Sequence, residues 1–534
     1  MADTTPVGPG HSEPAQGGPA ESKPAQGEPA QSKPAQGEPA QGEPAQGEPA
    51  QGEPTLAQAL AAFAVDTAAG GLPAEVTDSV RKRVLDVLGI AVAASPLPTS
   101  AAARAYAAEQ GGRPQAHAVG VPDPLPASLA AFVNGVLAHS LDYDDTHLPS
   151  VLHPSASVVP AALAAAEAVG AGGAPTVTAI AVGLEVCVRL GMAGYDADAG
   201  NSVFFEHGQH ATSICGATGA AVAAGLLYGF DAPRIVDVLG VAASMASGVI
   251  EANRTGGTVK RMHCGWAAHA AVSAAQLVRH GFTGPPTVLE GRFGFFHAWL
   301  RDEFHPEAVT GGLGQDWSVP GIFFKPYPAN HFTHAAVDAA ASLRRQGLRP
   351  GDVAWAELGV AGPTVRTIGE PLDVKRTPQT GYMAQFSGPY AVAAGLFGGG
   401  GLGVGLDDYR DALARDPARR ALMAKVTVVA DPRCDAIFPN QFPAVLRVGT
   451  TDGRELRAEV LANRGGPQRP LSYDELAVKF RDNAARLLPD HTVDQVQQLA
   501  ARLDTLADLP TLLAPLTHLP LAGDPAAAPD PADP

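Results

Sequence analysis

From 56 to about 308 the chain is rich in Ala, and its apolar residues recur at helical spacing almost throughout. Patterns typical of strands are nearly absent from this stretch. A chain of this texture buries its apolar surface by packing helix against helix, so we expect a large all-helical domain. The spacing predicts helices over 79–94, 128–139, 160–169, 176–192, 211–227, 233–251 and 267–280.

The pattern changes from about 323. A helix is predicted over 334–345, β-like runs over 353–360 and 425–429, and a hairpin over 444–460 that turns at Asp452-Gly453. After 471 the spacing is helical again, and Ser472 and Glu475 form a capping box. We therefore predict a mainly α fold, in which an α+β lid domain (321–465) is inserted into the all-helical domain (55–320 and 466–520).

Both ends of the chain differ from the rest. Residues 1–54 are largely a Pro-Ala-Gln-Gly-Glu repeat, and 521–534 are rich in Pro, Ala and Asp. From 13 to 54 there is no aromatic or β-branched residue, so this segment has little with which to build a core. We expect both tails to be disordered and to carry no chemistry.

The charge of the chain limits its partners. A net charge of -17 argues against binding to nucleic acid or an anionic membrane, because both reward a basic surface. A small-molecule partner is therefore expected. A cytoplasmic location is expected as well, since no basic region followed by an apolar run opens the chain. Cys187, Cys215, Cys264 and Cys434 lack C-x-x-C spacing, which favours reduced thiols over a zinc or iron–sulfur site.

An acidic cluster follows the predicted helix 128–139. It reads Leu-Asp-Tyr-Asp-Asp-Thr-His over 141–147, and His-Pro-Ser follows at 153–155. Acids near a helix C-terminus are costly unless something compensates them. Three interpretations stay open: Asp142, Asp144 and Asp145 cap the next helix or a turn, they bind Mg²⁺ or Mn²⁺, or Asp142 and His153 carry out acid/base chemistry.

Three further polar clusters interrupt the apolar helices. His210 stands at a predicted helix start, where it either caps the helix or takes part in catalysis or anion binding. Lys260, Arg261 and His263 precede the helix predicted after them, an arrangement that favours anion binding over plain solvation. Lys325 lies in a loop that Pro326 and Pro328 stiffen.

These motifs together resemble the MmgE/PrpD family, which includes 2-methylcitrate dehydratase, cis-aconitate decarboxylase and iminodisuccinate epimerase. The resemblance runs from about 56 to 488. It implies a helical domain with an α+β lid, a homodimer, and no metal or organic cofactor. It is carried by the 141–147 and 153–155 motifs, the 210–219 helix, Lys260, the Lys-Pro-Tyr-Pro loop at 325–328 and the Gln-Phe-Ser-x-x-Tyr segment at 385–390.

The resemblance also implies site residues. Carried over by position, the catalytic residues are Asp142, His153, His210, Lys260 and Tyr390. The substrate-binding residues carried over are Thr146, Lys325 and, in a second role, Lys260. We add Arg261 as a further substrate-binding residue, because it stands beside Lys260 in the same cluster. Two positions depart from the family pattern. Gln209 stands where an aromatic residue is expected, and Asn330 stands where decarboxylase-like members have a lid histidine, with His331 one place later.

The expected ligand is a di- or tricarboxylate. Lys260 and Lys325 would hold its carboxylates from opposite sides of a cleft, while His153 and His210 move a proton at the carbon next to a carboxylate. We favour a lyase that dehydrates a citrate-like hydroxy acid such as 2-methylcitrate. Decarboxylation and epimerisation of a related polycarboxylate are the alternatives, and a non-catalytic binding or scaffolding protein is the alternative of another class.

Overall fold

The computed structural model describes residues 52–252 and 256–521, so the predicted disorder of the tails falls almost wholly outside the described residues. Helices dominate, which confirms the predicted mainly α fold. Those of ten or more residues in the described part are α1 Leu56–Gly70, α2 Ala74–Ala94, α3 Pro98–Gln110, α4 Ala127–Ala138, α5 Ser155–Val169, α6 Gly173–Ala193, α7 Ala211–Leu227, α8 Ala232–Met245, α9 Val259–Arg279, α10 His334–Arg345, α11 Gly388–Phe397, α12 Tyr473–Ala484 and α13 Asp490–Ala501.

Shorter elements connect these helices. The described short helices are Val203–Glu206, Phe295–Leu300, Glu307–Thr310, Gly362–Ile368, Leu372–Arg376, Gly381–Ala384, Asp411–Ala414, Pro417–Met423, Pro432–Asp435 and Pro510–Leu513. The strands are β1 Ala116–Ala118, β2 Val121–Leu125, β3 Tyr195–Asp196, β4 Asn201–Ser202, β5 Val353–Val360, β6 Val426–Ala430, β7 Ala444–Thr450 and β8 Glu455–Val460.

The larger hydrophobic core is built from helices. It joins α1–α9 with α12 and α13, so the chain returns to this core after the sheet segment. Two buried glycines let α4 and α9 cross closely: a Cβ added to Gly135 would lie 2.7 Å from the Cα of Gly265. This contact sets how α9 lies against α4, and the ends of these two helices carry polar residues of the site.

A second hydrophobic core contains buried residues between Tyr327 and Val460. Here α10 and α11 pack together against a four-stranded sheet of order β6-β5-β7-β8. Strands β5 and β6 are parallel, whereas β5–β7 and β7–β8 are antiparallel, and β7–β8 is the predicted hairpin. The domain boundaries and the movement of this part as a lid stay predictions.

Four predicted helix bounds are wrong. The helix predicted over 79–94 begins at Ala74, because the polar residues Glu75, Thr77 and Asp78 interrupt the apolar spacing without ending the helix. The helix predicted over 267–280 begins at Val259, because its polar first turn interrupts the apolar spacing without ending the helix. The helix predicted over 233–251 ends at Met245, since the chain beyond it pairs with the segment before His210. The helix predicted to begin at Pro160 begins at Ser155 and accommodates this proline in its interior.

Helix α6 is long and apolar enough to cross a membrane by length and composition alone. However, 89% of its 18-residue apolar window is buried inside the protein, as in a core helix of a globular protein. Its two charged residues pair with each other, with Arg189 Nε 2.7 Å from Glu185 Oε1. Helices α2 and α3 pass the same test only as a pair, and they are bent by 97°.

Candidate active site

The acidic loop begins where α4 ends and is fixed to a distant segment. His139 is the C-cap of α4. Farther along the loop, the backbone N–H of Thr146 donates to the carbonyl of Phe323, and the N–H of Phe323 donates to the carbonyl of Thr146, each at 2.8 Å. This pairing brings Lys325, two residues after Phe323, alongside the acidic loop.

Asp142 is the centre of a charge cluster. Lys325 Nζ lies 3.2 Å from Asp142 Oδ1 and 2.9 Å from the Asp142 carbonyl oxygen. Lys260 Nζ, from the first turn of α9, lies 3.5 Å from the same Oδ1 atom. Asp142 has φ 52°, in the left-handed region that Asp tolerates better than most residues. One carboxylate therefore accepts from two cations that come from different parts of the fold.

The cluster keeps its charges although it is buried. Burial alone would raise the pKa of Asp142, but Lys325 and Lys260 together hold it well below its ordinary value. Burial opposes the charge on Lys260, and Asp142 outweighs it, so the pKa of Lys260 is raised. Lys325 is 2% exposed and Lys260 is 28% exposed, so Lys260 is the more open of the two cations. Two positive charges on one carboxylate leave an excess that favours an anion.

The other two aspartates have their own partners. Asp145 Oδ2 lies 2.7 Å from Arg83 NH1, and Asp145 Oδ1 accepts from the backbone N–H of Ser155 at the start of α5. Asp144 Oδ2 lies 2.6 Å from His139 Nδ1. The capping interpretation thus holds for Asp145. Among the residues that the structure describes, no group of three or more His, Cys, Asp or Glu side chains is arranged to hold a metal ion.

His153 is held in one orientation. Its Nδ1 lies 2.6 Å from the Asp145 carbonyl, an acceptor, so Nδ1 carries the proton and Nε2 is the basic nitrogen. Its backbone N–H donates to Thr212 Oγ1, and Thr146 Oγ1 lies 3.4 Å from Nδ1. Burial lowers the pKa of His153 to about 4, which leaves its imidazole neutral near pH 7.

His210 lies at the start of α7, as predicted, but its side chain makes no capping hydrogen bond there. It is buried, and burial lowers its pKa well below the ordinary value. Its ring centroid lies 5.6 Å from that of His139 and 4.6 Å from that of His263, while His139 lies 5.5 Å from His153. The predicted histidines therefore belong to a group of four imidazoles beside the Asp142 cluster.

Sequence reasoning missed part of this site. His139 was not singled out, nor was Arg83, which holds Asp145 and also donates to the Val319 and Ile322 carbonyls. For His139 the available signal was an imidazole at the end of an otherwise apolar stretch, since such a residue is seldom buried without a partner. Arg83 gave no such signal, because it directly follows Arg81 and Lys82.

A second buried ion pair contacts the acidic loop at Tyr143. Lys479 of α12 lies 2.7 Å from Asp86 Oδ1 of α2, and its Nζ donates to the Tyr143 carbonyl at 3.1 Å. The same Nζ lies 3.8 Å from the centroid of the Tyr143 ring. Tyr143 in turn donates from its hydroxyl to the Pro326 carbonyl, next to Lys325. The loop is thus held from both sides.

Two predicted site residues lie elsewhere. The guanidinium of Arg261 points towards α3, with NH1 3.5 Å from Thr99 Oγ1. The hydroxyl of Tyr390 donates to the Asp408 carbonyl inside the second hydrophobic core. Neither group joins the Asp142 cluster, so the structure does not bring Arg261 and Tyr390 together with the other predicted residues. Arg261 follows Lys260 directly on a helix, and adjacent helical residues point about 100° apart.

The two departures from the family pattern have visible partners. Gln209 donates from Nε2 to the Trp299 carbonyl at 2.9 Å. Asn330 accepts at Oδ1 from the backbone N–H of Phe332 and caps a short 3₁₀ turn. His331 is buried, and neither of its ring nitrogens has a hydrogen-bond partner among the described residues.

The fold and the cluster define a class of protein: a mainly helical protein with a buried group of lysines, carboxylates and imidazoles. The MmgE/PrpD N-terminal domain matches residues 58–307, and the MmgE/PrpD C-terminal domain matches residues 327–505. The chain therefore belongs to the MmgE/PrpD family and is an enzyme of that family. The C-terminal match includes α12 and α13, although both pack in the helical core.

Similar proteins cover most of the chain. The cis-aconitate decarboxylase of Homo sapiens is 30% identical over 83% of this chain and 90% of its own length. The cis-aconitate decarboxylase of Mus musculus is 28% identical over 82% and 89%. That of Aspergillus terreus is 26% identical over 84% and 94%.

Proposed function

We propose that the protein is a cofactor-independent lyase that acts on a citrate-like di- or tricarboxylate by proton transfer next to a carboxylate. The observation that carries this proposal is the sharing of one Asp142 oxygen by Lys325 and Lys260, at 3.2 and 3.5 Å. The lysines come from different segments and leave a positive excess. A substrate carboxylate completes this charge balance better than a neutral ligand does.

The imidazoles supply the chemistry of the proposal. With lowered pKa values, His153 and His210 are neutral near pH 7 and accept a proton there. The orientation of His153, with Nδ1 held by a carbonyl, leaves Nε2 for the proton that moves. Proton acceptors beside fixed cations suit a reaction whose intermediate carries negative charge on and around a carboxylate.

Decarboxylation of a cis-aconitate-like tricarboxylate is the first candidate for the bond that is cleaved. The similar human, mouse and Aspergillus proteins are cis-aconitate decarboxylases, and the human protein is 30% identical to this chain. Dehydration of a 2-methylcitrate- or citrate-type hydroxy acid is the second candidate. Dehydration is favoured by Asn330, which stands where decarboxylase-like members have a lid histidine. The amide oxygen of Asn330 accepts from the backbone N–H of Phe332, and an amide cannot replace a histidine as a proton donor.

An activity screen separates the two candidates. The protein is mixed with cis-aconitate, citrate, 2-methylcitrate and aspartate-derived diacids, and the release of CO₂ and the gain or loss of alkene absorbance are followed. CO₂ from cis-aconitate supports decarboxylation, and alkene formation from a hydroxy acid without CO₂ supports dehydration. The same assays in EDTA test cofactor independence: loss of turnover that Mg²⁺ or Mn²⁺ restores contradicts it. No turnover on any of these acids contradicts the proposal.

The homodimer is also a proposal, and it rests on the resemblance to the family. Sedimentation of the purified protein over a range of concentrations measures its mass directly. A mass of twice the 54.5 kDa chain supports the dimer, and a single-chain mass at all concentrations contradicts it.

A further inference from the structure

His139 and Asp144 form a buried pair beside the Asp142 cluster. Nδ1 of His139 lies 2.6 Å from Oδ2 of Asp144, and the two side chains are 1% and 0% exposed. The other ring nitrogen, Nε2, is buried and has no hydrogen-bond partner among the described residues. A buried polar atom without a partner costs free energy, so a pair built in this way needs a reason other than stability.

The neighbours of His139 are the histidines of the site. Its ring centroid lies 5.5 Å from that of His153, at the start of α5, and 5.6 Å from that of His210, at the start of α7. His263 of α9 lies behind His210, with ring centroids 4.6 Å apart. Rings at these centroid distances are direct neighbours, so the arrangement suits the passage of a proton.

The charges around the four rings differ. His139 stands at the C-terminal end of α4 and contacts the carboxylate of Asp144, so two negative features face its ring. In the described part of the chain no ion pair joins His153, His210 or His263 to a carboxylate, although the charge of Asp144 partly offsets the effect of burial on the pKa of His153. Burial lowers the pKa of each of these three, and Lys260 on the side of α9 adds to the effect.

We infer that the His139–Asp144 pair is the proton store of this site, which exchanges a proton with His153 or His210. The inference rests on the proposed lyase function and names residues beyond those that contact substrate. His139 and Asp144 are positioning residues, because they act through the two histidines.

Decarboxylation of the substrate consumes one proton. The bond from the substrate to the departing carboxylate breaks, CO₂ leaves, and the electron pair stays with the substrate. His139 then passes its Nε2 proton to the neutral ring of His153 or His210, and that ring gives the proton to the carbon and is neutral again. Asp144 stays ionised throughout, and water returns one proton to His139 before the next turnover.

Two substitutions test the proton store with little change of shape. His139→Asn keeps an N–H for Asp144 but removes the titrating ring, and Asp144→Asn keeps an oxygen for His139 but removes the charge. We expect each to lower kcat roughly ten- to a hundred-fold. In the plot of kcat against pH, the fall on the alkaline side should move to lower pH. The proton donors that remain, His153 and His210, lose their proton more easily than the intact His139–Asp144 pair. KM should change little, since Lys260 and Lys325 are untouched.

The chain offers a matched control. His117 Nδ1 lies 2.5 Å from Glu167 Oε1 in another, partly exposed imidazole–carboxylate pair, on β1 and α5, which touches none of the site residues named here. Glu167→Gln should leave kcat, KM and the pH profile unchanged. Melting temperatures show whether each variant is folded, and Asp144→Asn serves if His139→Asn is not.

The outcomes separate the two proposals. If the wild type turns over a polycarboxylate while a folded variant keeps its kcat and its alkaline limb, the proton store is wrong and the lyase function stands. If the melting temperature falls but the pH profile stays in place, the pair is only structural and the inference is overturned. A wild type that releases neither CO₂ nor water from any tested acid overturns the lyase function and the proton store together.

Discussion

At the scale of single residues, the two lysines on Asp142 carry the proposed substrate binding. Lys→Met keeps most of the side chain and removes the charge, so Lys260→Met and Lys325→Met should each remove a charge-assisted hydrogen bond of about 1.5 to 3 kcal/mol. We expect kcat/KM to fall roughly ten- to a hundred-fold for each. Lys82→Met is the matched control, because Lys82 pairs with Asp78 on α2 and should not affect turnover. Wild-type kcat/KM in both lysine variants would contradict the carboxylate-binding role.

The histidines should behave differently from the lysines. His153→Gln and His210→Gln remove a proton-transfer group but leave both lysines, so kcat should fall roughly a hundred-fold or more while KM changes little. Steady-state kinetics on the substrate identified in the screen measures both constants. A rise of KM at unchanged kcat would assign the two histidines to binding instead.

At the scale of elements, the crossing of α4 and α9 sets the site. A Cβ added to Gly265 would lie 2.5 Å from the backbone carbonyl oxygen of Phe132, which cannot move without shifting α4. Gly265→Ala should therefore lower the free energy of unfolding by about 1 to 3 kcal/mol. It should also lower activity, because α9 carries Lys260 and His263. Denaturant unfolding and kinetics measure the two effects.

The control for this crossing is Gly351→Ala, since a Cβ there meets nothing within 4 Å. Its free energy of unfolding and activity should match those of the wild type. A Gly265→Ala variant as stable and active as this control would show that the two helices do not need their close approach.

At the scale of the whole molecule, buried histidines should make stability depend on pH. Burial lowers the pKa of His147, His153 and His263 to about 4 and of His334 to about 3, from an ordinary value of 6.5. Below pH 6.5 the unfolded chain therefore binds protons that the folded chain does not, so stability is lost as the pH falls from 6.5 towards 4.

Several carboxylates oppose this trend. Burial raises the pKa of Asp86 to about 6, so between pH 3.8 and 6 this group favours the folded state at the lower pH. Burial also raises the pKa values of Asp145, Glu185, Glu290 and Asp482. Seven histidines with lowered pKa values, the four above with His210, His269 and His331, outnumber these five carboxylates, so the melting temperature should fall from pH 7 to pH 4.5. His334→Gln, which keeps a hydrogen bond to Ala329, should make the fall shallower. A melting temperature that rises as the pH falls would contradict the prediction.

The N-terminal repeat should be dispensable. A protein that begins at Pro54 keeps Thr55, whose hydroxyl accepts from the backbone N–H of Gln58 and caps α1. Because the repeat has no apolar surface to contribute, melting temperature and turnover should equal those of the full chain. A protein that begins at Ala62 loses the cap and the buried Leu60 and should melt lower. A fall of several degrees in the Pro54 variant would show that the repeat contributes to stability.

Much of the fold follows from local spacing. Helical periodicity located the helices of the larger core, and the Asp-Gly turn located the β7–β8 hairpin, because these patterns act over a few residues. The order of motifs indicated the family and named Asp142, His153, His210, Lys260 and Lys325. Helix starts were predicted less well. Tertiary contacts extend some helices and end others at residues where the local apolar spacing gives no sign of it.

Spacing and motifs along the chain indicate the helical class of the protein and the residue types of the site. Which of these residues meet depends on how the chain folds. Asp142 pairs with two lysines, Asp144 with His139 and Asp145 with Arg83, because the fold brings separate segments to one loop. Arg261 stands apart because one residue along a helix turns the side chain by about 100°. These contacts cannot be predicted from the spacing of residues along the chain, since each depends on how packed elements face one another.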